Sequence, residues 1–148
     1  DYYIFLNLIA AWDNRGKNTF LARKLKNNPL FIVPWDLDGV LGRNWDASQT
    51  VYTEILTNAL YNRLLLLNPD NFKNKLTSRW LYLRKNVLSI SNLIEILEFN
   101  FSQLNDSYII SLENNIWGTN LSLDEEQAYI NEWLINRVDF LDYYYIDL

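Results

Sequence analysis

Oxygen-bearing side chains gather in the first third of this chain. Asp13 is followed five positions later by Asn18, and after an apolar stretch comes Trp35-Asp36-Leu37-Asp38-Gly39. Carboxylates brought together repel one another, and a divalent cation relieves that repulsion. Mg²⁺ or Mn²⁺ takes about six oxygen ligands, commonly one or two carboxylates with phosphate oxygens and water. A spare carboxylate can orient a hydroxyl and accept its proton. That equipment suits phosphoryl transfer, in which catalysis is mainly positioning and charge neutralisation. One phosphotransfer template reads Asp, four residues, Asn, then a metal-binding Asp beyond a hairpin. Asp13, Asn18 and Asp36 reproduce that order, with Asp38 as a further candidate metal ligand. Arg15, Lys17, Arg23, Lys24 and Lys26 lie between Asp13 and Asp36 with no acid among them, and Arg43 follows. A local basic excess in a chain of net charge −5 suits a phosphate-bearing ligand. Lys17 or Arg15 is then the cation that offsets charge on the transferring group.

Each feature has a plainer reading. Asp and Asn are common turn residues. Asp36 and Asp38 alternate, so a surface pair or a structural Ca²⁺ site would look the same. The basic cluster is equally the solvated face of a hairpin. Trp12, Trp35, Trp45, Trp80, Trp117 and Trp133 are more often core residues than stacking platforms.

For the acidic loops to meet, the chain between them must return on itself. Thr19 to Leu25 and Leu30 to Trp35 have the composition of strands, with Lys26-Asn27-Asn28-Pro29 as the turn. A hairpin there lays the Asp13 and Asp36 loops side by side and gathers three carboxylates and a carboxamide. Around it, Asp1 to about Trp12 predicts a buried helix, 13–18 a loop, and 36–50 a long loop. Helices are then expected from about Thr53 to Leu67, and from Asp70, as N-cap, to about Leu88. A third is expected from Asn92 to about Ile116, with Glu95 as its capping-box partner and a break near Ser107. Trp117 to Asn120 is a loop. A last amphipathic helix starts at Ser122, with Glu125 completing a capping box. Ile130, Trp133, Leu134, Arg137, Val138 and Leu141 follow at spacings of three and four. Tyr143, Tyr144 and Tyr145 pack at its end, or alternatively contact a partner or glycan. The fold class is mainly α (α+β), with one small β-hairpin.

Composition narrows the chemistry. The 148 residues carry 13 basic and 18 acidic side chains and no His or Cys. His/Cys zinc sites, thiol nucleophiles, disulfides and a Ser-His-Asp triad within this chain are excluded. The acidity argues against nucleic acid as a partner. The absence of Cys suits a secreted or cell-surface bacterial protein. No uninterrupted apolar run reaches the roughly 18–20 residues of a membrane span.

At these residues the chain resembles the CotH kinase family, named for spore coat protein H. The resemblance rests on 12–21 (WDNRGKNTFL), on 31–42 (FIVPWDLDGVLG), and on Glu132-Trp133-Leu134 with Arg137 to Asp142 near the end. It differs in having Thr19-Phe20 after the Asn, and Gly39-Val40-Leu41-Gly42 after Asp38. The resemblance implies an atypical protein kinase that uses ATP and Mg²⁺ or Mn²⁺ on a protein substrate. Asp13 would be catalytic, with Lys17 beside it. Asn18 and Asp36 would hold the metal–nucleotide, and Asn18, Asp36 and Asp38 are the metal ligands expected. It also implies that residues 1–148 form the helical C-terminal lobe of a kinase-like fold. The N-terminal lobe would belong elsewhere in a longer chain, and this piece alone would be inactive. The setting implied is a bacterial surface or spore coat. A non-catalytic surface or spore-coat module that keeps the fold is the alternative.

Overall fold

A computed structural model describes residues 1–105 and 107–148. It is mostly helical with one two-stranded antiparallel sheet. Residue 106, within the helix expected over 92–116, lies outside the described residues.

Helix α1 (Tyr2–Leu8) is buried nearly all round, through Tyr3, Ile4, Leu6, Asn7 and Leu8. It ends earlier than Trp12, the expected limit. Ala10 takes a left-handed φ of 52°, and the Leu41 amide donates to Ile9 O at 2.8 Å. The chain therefore turns away and re-forms as a 3-10 turn at Trp12–Arg15, inside the expected loop. Strands β1 (Thr19–Ala22) and β2 (Phe31–Pro34) make the hairpin, shorter than expected at its tip end. Its register pairs Thr19 with Pro34 and Ala22 with Phe31. Both faces stay open: Phe20, Leu21, Leu25, Leu30 and Phe31 are all exposed.

Helix α2 (Ala59–Leu67) begins six residues after the expected Thr53. The reason lies in who uses the intervening backbone. Trp133 Nε1 donates to Thr50 O at 3.0 Å, and Arg137 Nη1 donates to Tyr52 O and Glu54 O, both at 2.6 Å. Asn7 bonds both polar groups of Leu56, accepting from its amide at 2.8 Å and donating to its carbonyl at 3.1 Å. Those groups are satisfied by side chains of other helices rather than by a helix of their own. Asn58 caps α2, its Oδ1 accepting from Tyr61 N at 3.0 Å.

Helix α3 (Phe72–Arg84) is not capped by Asp70, which holds a left-handed φ of 50° in a turn that also contains Asn68 and Asn71. Asn68 Oδ1 accepts from Lys73 N instead. Helix α4 (Ile90–Asn105) starts ahead of Asn92, because Ser89 Oγ accepts the Asn92 amide. Helix α5 (Ile109–Trp117) follows, so the expected break near Ser107 separates two helices. The last helix, α6 (Leu123–Ile146), matches its expected start. Ser122 Oγ accepts from Glu125 N at 3.4 Å, and three acids fill the first turn, where the helix dipole favours them. Its buried stripe is Trp133, Leu134, Arg137, Val138, Leu141 and Tyr145.

Helix α6 packs on α1, α3 and α4. Trp80 stacks on Tyr145 at 4.8 Å, and its indole donates to Asp142 at 2.7 Å beside Arg84. Tyr3 meets Tyr145 edge-on, and its hydroxyl bonds that of Tyr144 at 2.7 Å. Tyr144 and Tyr145 therefore pack inward as expected, while Tyr143 is exposed. Trp80 and Trp133 are core, whereas Trp35, Trp45 and Trp117 stand in solvent.

Arg137 is fully buried and, among the described residues, has no carboxylate partner; its ligands are the carbonyls of Asn7, Tyr52 and Glu54. Burial lowers its pKa to about 10, so it remains charged at neutral pH. An Arg137→Met variant removes a donor from three carbonyls, leaving those of Tyr52 and Glu54 unpaired, and should lose about 3 kcal/mol or more, measured as the shift of a denaturant midpoint.

Burial pushes Tyr61 up to about 12 and raises Tyr3 and Tyr145 further. An unfolded tyrosine titrates near 10. Above that pH the unfolded chain releases phenolic protons that the fold retains, so stability falls as pH rises. Arg137 acts oppositely in the same window, but one guanidinium opposes three phenols. Thermal melts should hold steady from pH 7 to 9 and drop steeply between 10 and 12, and Tyr61→Phe should flatten the drop.

Candidate functional site

The hairpin register decides which polar groups meet. Pairing of Thr19 with Pro34 places Asn18 opposite Trp35, and the Trp35 amide donates to Asn18 O at 2.8 Å. One residue further out, Asn18 Nδ2 donates to Asp36 Oδ2 at 3.4 Å. Asn18 and Asp36 both adopt left-handed backbone, with φ of 53° and 59°. Asn and Asp tolerate that conformation better than most residues.

Asp13 sits in the 3-10 turn and pairs with Lys17 Nζ at 2.8 Å, both side chains well exposed. An exposed pair of this kind contributes about 0–1 kcal/mol, so it is readily broken. Asp13 shares a cavity of about 230 Å³ with Arg15 and Asp38, walled by Trp12 and Trp45. Arg15 lies 4.7 Å over the Trp12 ring and donates to Trp12 O. Asp38 Oδ1 accepts the Gly39 amide at 2.9 Å.

The acidic loops thus come together in two pairings rather than one cluster. Asn18 joins Asp36, and Asp13 shares its cavity with Asp38. Among the described residues no three acidic side chains converge to hold a metal. The local donors are nonetheless all oxygen, a carboxamide beside carboxylates, which fits the hard Mg²⁺ or Mn²⁺ that the sequence resemblance implies. Asn18 and Asp36 would hold such an ion, phosphate oxygens and water completing its shell. The basic excess is also divided. Lys17 is neutralised by Asp13. Arg43 is committed to Glu126 on α6 at 2.5 Å and lies over the Tyr129 ring at 4.2 Å. Arg23 donates to Lys26 O at the hairpin tip.

Two residues that hold the site escaped the sequence reading. Asn14, only 2% exposed, donates to Asn18 O at 2.9 Å and to Trp35 O at 2.8 Å. Asn58 Nδ2 donates to Arg15 O at 2.5 Å, fastening the start of α2 to the Asp13 turn. A cap signal at Asn58 was available ahead of Ala59-Leu60. Nothing in the sequence separates Asn14 from an ordinary turn asparagine.

Beyond Gly39 a loop returns on itself. Thr50 N donates to Gly42 O at 2.8 Å and Asn44 N to Ser48 O at 2.9 Å. The Ser48 hydroxyl and amide hold the Asp46 carboxyl below its ordinary pKa. This loop presents Trp45, 77% exposed, beside the cavity. It is anchored at Gly42, whose carbonyl accepts the Tyr129 hydroxyl at 2.6 Å. Gly42 has φ +91°, and an added Cβ would lie 2.7 Å from the Trp133 ring. Gly42→Ala should therefore cost about 2–3 kcal/mol through strain and overpacking, read as a lower denaturant midpoint.

A family model described as CotH kinase protein matches residues 1–141 of the 148-residue chain. No curated protein and no solved structure matches it. The match spans the Asp13 turn, the hairpin, the Asp36 loop and most of α6. The chain belongs to the CotH kinase family.

Proposed function

We propose that this chain is the C-terminal lobe of an atypical protein kinase that transfers the γ-phosphate of ATP to a Ser or Thr hydroxyl of a protein. The observation that carries the reading is the meeting of the Asn18 and Asp36 side chains at 3.4 Å across the base of the hairpin. Asp13 orients the acceptor hydroxyl and accepts its proton as the oxygen attacks the γ-phosphorus. The bond to the bridging oxygen breaks and its electron pair leaves on ADP. Lys17, freed from Asp13, or Arg15 offsets charge on the transferring group. Asn18 and Asp36, with Asp38 close in sequence, would hold Mg²⁺ or Mn²⁺, which when bound would supply charge neutralisation. The phosphate-covering loop and the Lys–Glu pair that the chemistry also needs are assigned to an N-terminal lobe, so this lobe alone is inactive. The setting proposed is a bacterial surface or spore coat.

A second reading, a non-catalytic surface or spore-coat module, is favoured by the exposed aromatic side chains. Phe20, Trp35 and Trp45 are 57%, 64% and 77% exposed, as a contact surface would be.

The full-length protein separates the two. Metal-dependent ATP turnover should fall at least about 100-fold in Asp36→Ala, since even groups behind a metal ligand are worth 10–100-fold. Equal turnover by wild type and variant removes the metal role. No turnover in the wild type favours the module.

A further inference from the structure

We propose that Asn14 is the positioning residue for the Asn18–Asp36 pair and sets its affinity for a divalent cation without touching the ion. This rests on the functional reading above. The Asn14 amide nitrogen has two protons to give, and it gives them to two carbonyls that flank the pair. One belongs to Asn18 itself, at 2.9 Å. The other belongs to Trp35, the residue before Asp36, at 2.8 Å. Asn18 O also accepts the Trp35 amide, so the bonds tying the two loops together meet on these two carbonyls. Both candidate ligands hold left-handed backbone. Such a conformation persists only while its surroundings over-determine it.

The requirement at this position is chemical as well as steric. Aspartate has the shape of asparagine but would set a carboxylate oxygen against two carbonyl oxygens at under 3 Å. Glutamine is one methylene too long for a pocket that leaves Asn14 only 2% exposed. Serine offers a single proton and can serve one carbonyl at most. Asn14 is seated from its other side by bonds that do not reach the pair. Its carbonyl accepts the Tyr2 hydroxyl at 3.0 Å, and its amide donates to Ala11 O at 3.1 Å. Loss of the Tyr2 bond should therefore loosen the fold while leaving both loop bonds in place.

The test is Mn²⁺ binding by the full-length protein, read by electron paramagnetic resonance alongside thermal melts. Variants Asn14→Asp, Asn14→Ser and Tyr2→Phe are compared with wild type. Asn14→Asp should weaken Mn²⁺ binding at least about tenfold and Asn14→Ser by a smaller factor. Tyr2→Phe should lower the melting temperature yet bind within about twofold of wild type. If Asn14→Asp does not fold, Asn14→Ser carries the comparison. Unchanged affinity in the folded Asn14 variants overturns the proposal. So does a loss in Tyr2→Phe that matches theirs at equal loss of stability, since Asn14 would then act through the fold alone. A wild-type protein that binds no Mn²⁺ overturns the functional reading itself.

Discussion

The guanidinium of Arg137 holds the least regular part of this molecule against its most regular part. A buried cation normally finds a carboxylate, and here it finds three carbonyls instead, one on α1 and two on the extended segment ahead of α2. Arginine can do this because its donors are planar, numerous and never lost at ordinary pH. The carbonyls of Thr50, Tyr52, Glu54 and Leu56 are therefore satisfied without a helix or strand of their own. Asn7 and Trp133 extend the same arrangement to either side. Without it, the segment that joins the Asp36 loop to α2 would have no fixed course.

The candidate site inherits its geometry from that scaffold and from four residue pairs of antiparallel sheet. Strand register brings Asn18 to Asp36, and a slip of one strand by one residue would turn that strand's side chains to the opposite face. The Asp13 turn is fixed separately, through Tyr2 and through Asn58 at the head of α2. Asn14 joins the two supports, bonding from that turn to the carbonyls of Asn18 and Trp35. Membership in the CotH kinase family is consistent with such an arrangement, in which oxygen donors stand on rigid supports and thiol and imidazole chemistry is absent from the chain.

Much of this was legible in the sequence. The hairpin announced itself by a β-rich run on either side of Asn27-Asn28-Pro29. Helix α6 did so by its cap and its apolar stripe. Local signals of that kind survive folding because neighbouring residues generate them. The start of α2 was misplaced because the backbone of 50–57 is claimed by Arg137, Trp133 and Asn7, all distant in sequence. Asp70 looked like a cap but took a left-handed turn, leaving the cap bond to Asn68. The acidic residues were expected around one spot; they divide into two pairings, which depend on side-chain directions that spacing does not encode. Asn14 was invisible for the same reason: its importance lies in which carbonyls it reaches.

Helix α6 also sets an order of events. It follows the other described elements in sequence, and it bonds residues 7, 42, 50, 52 and 54. On the ribosome those partners emerge long before it does. Until α6 has emerged, Asn7 O, Gly42 O and Thr50 O lack the donors that α6 supplies, and Trp133 is missing from beneath Gly42. Closing loops of more than 80 residues is slow compared with winding a helix. The 36–50 loop thus gains its link to the helical core only once α6 has packed.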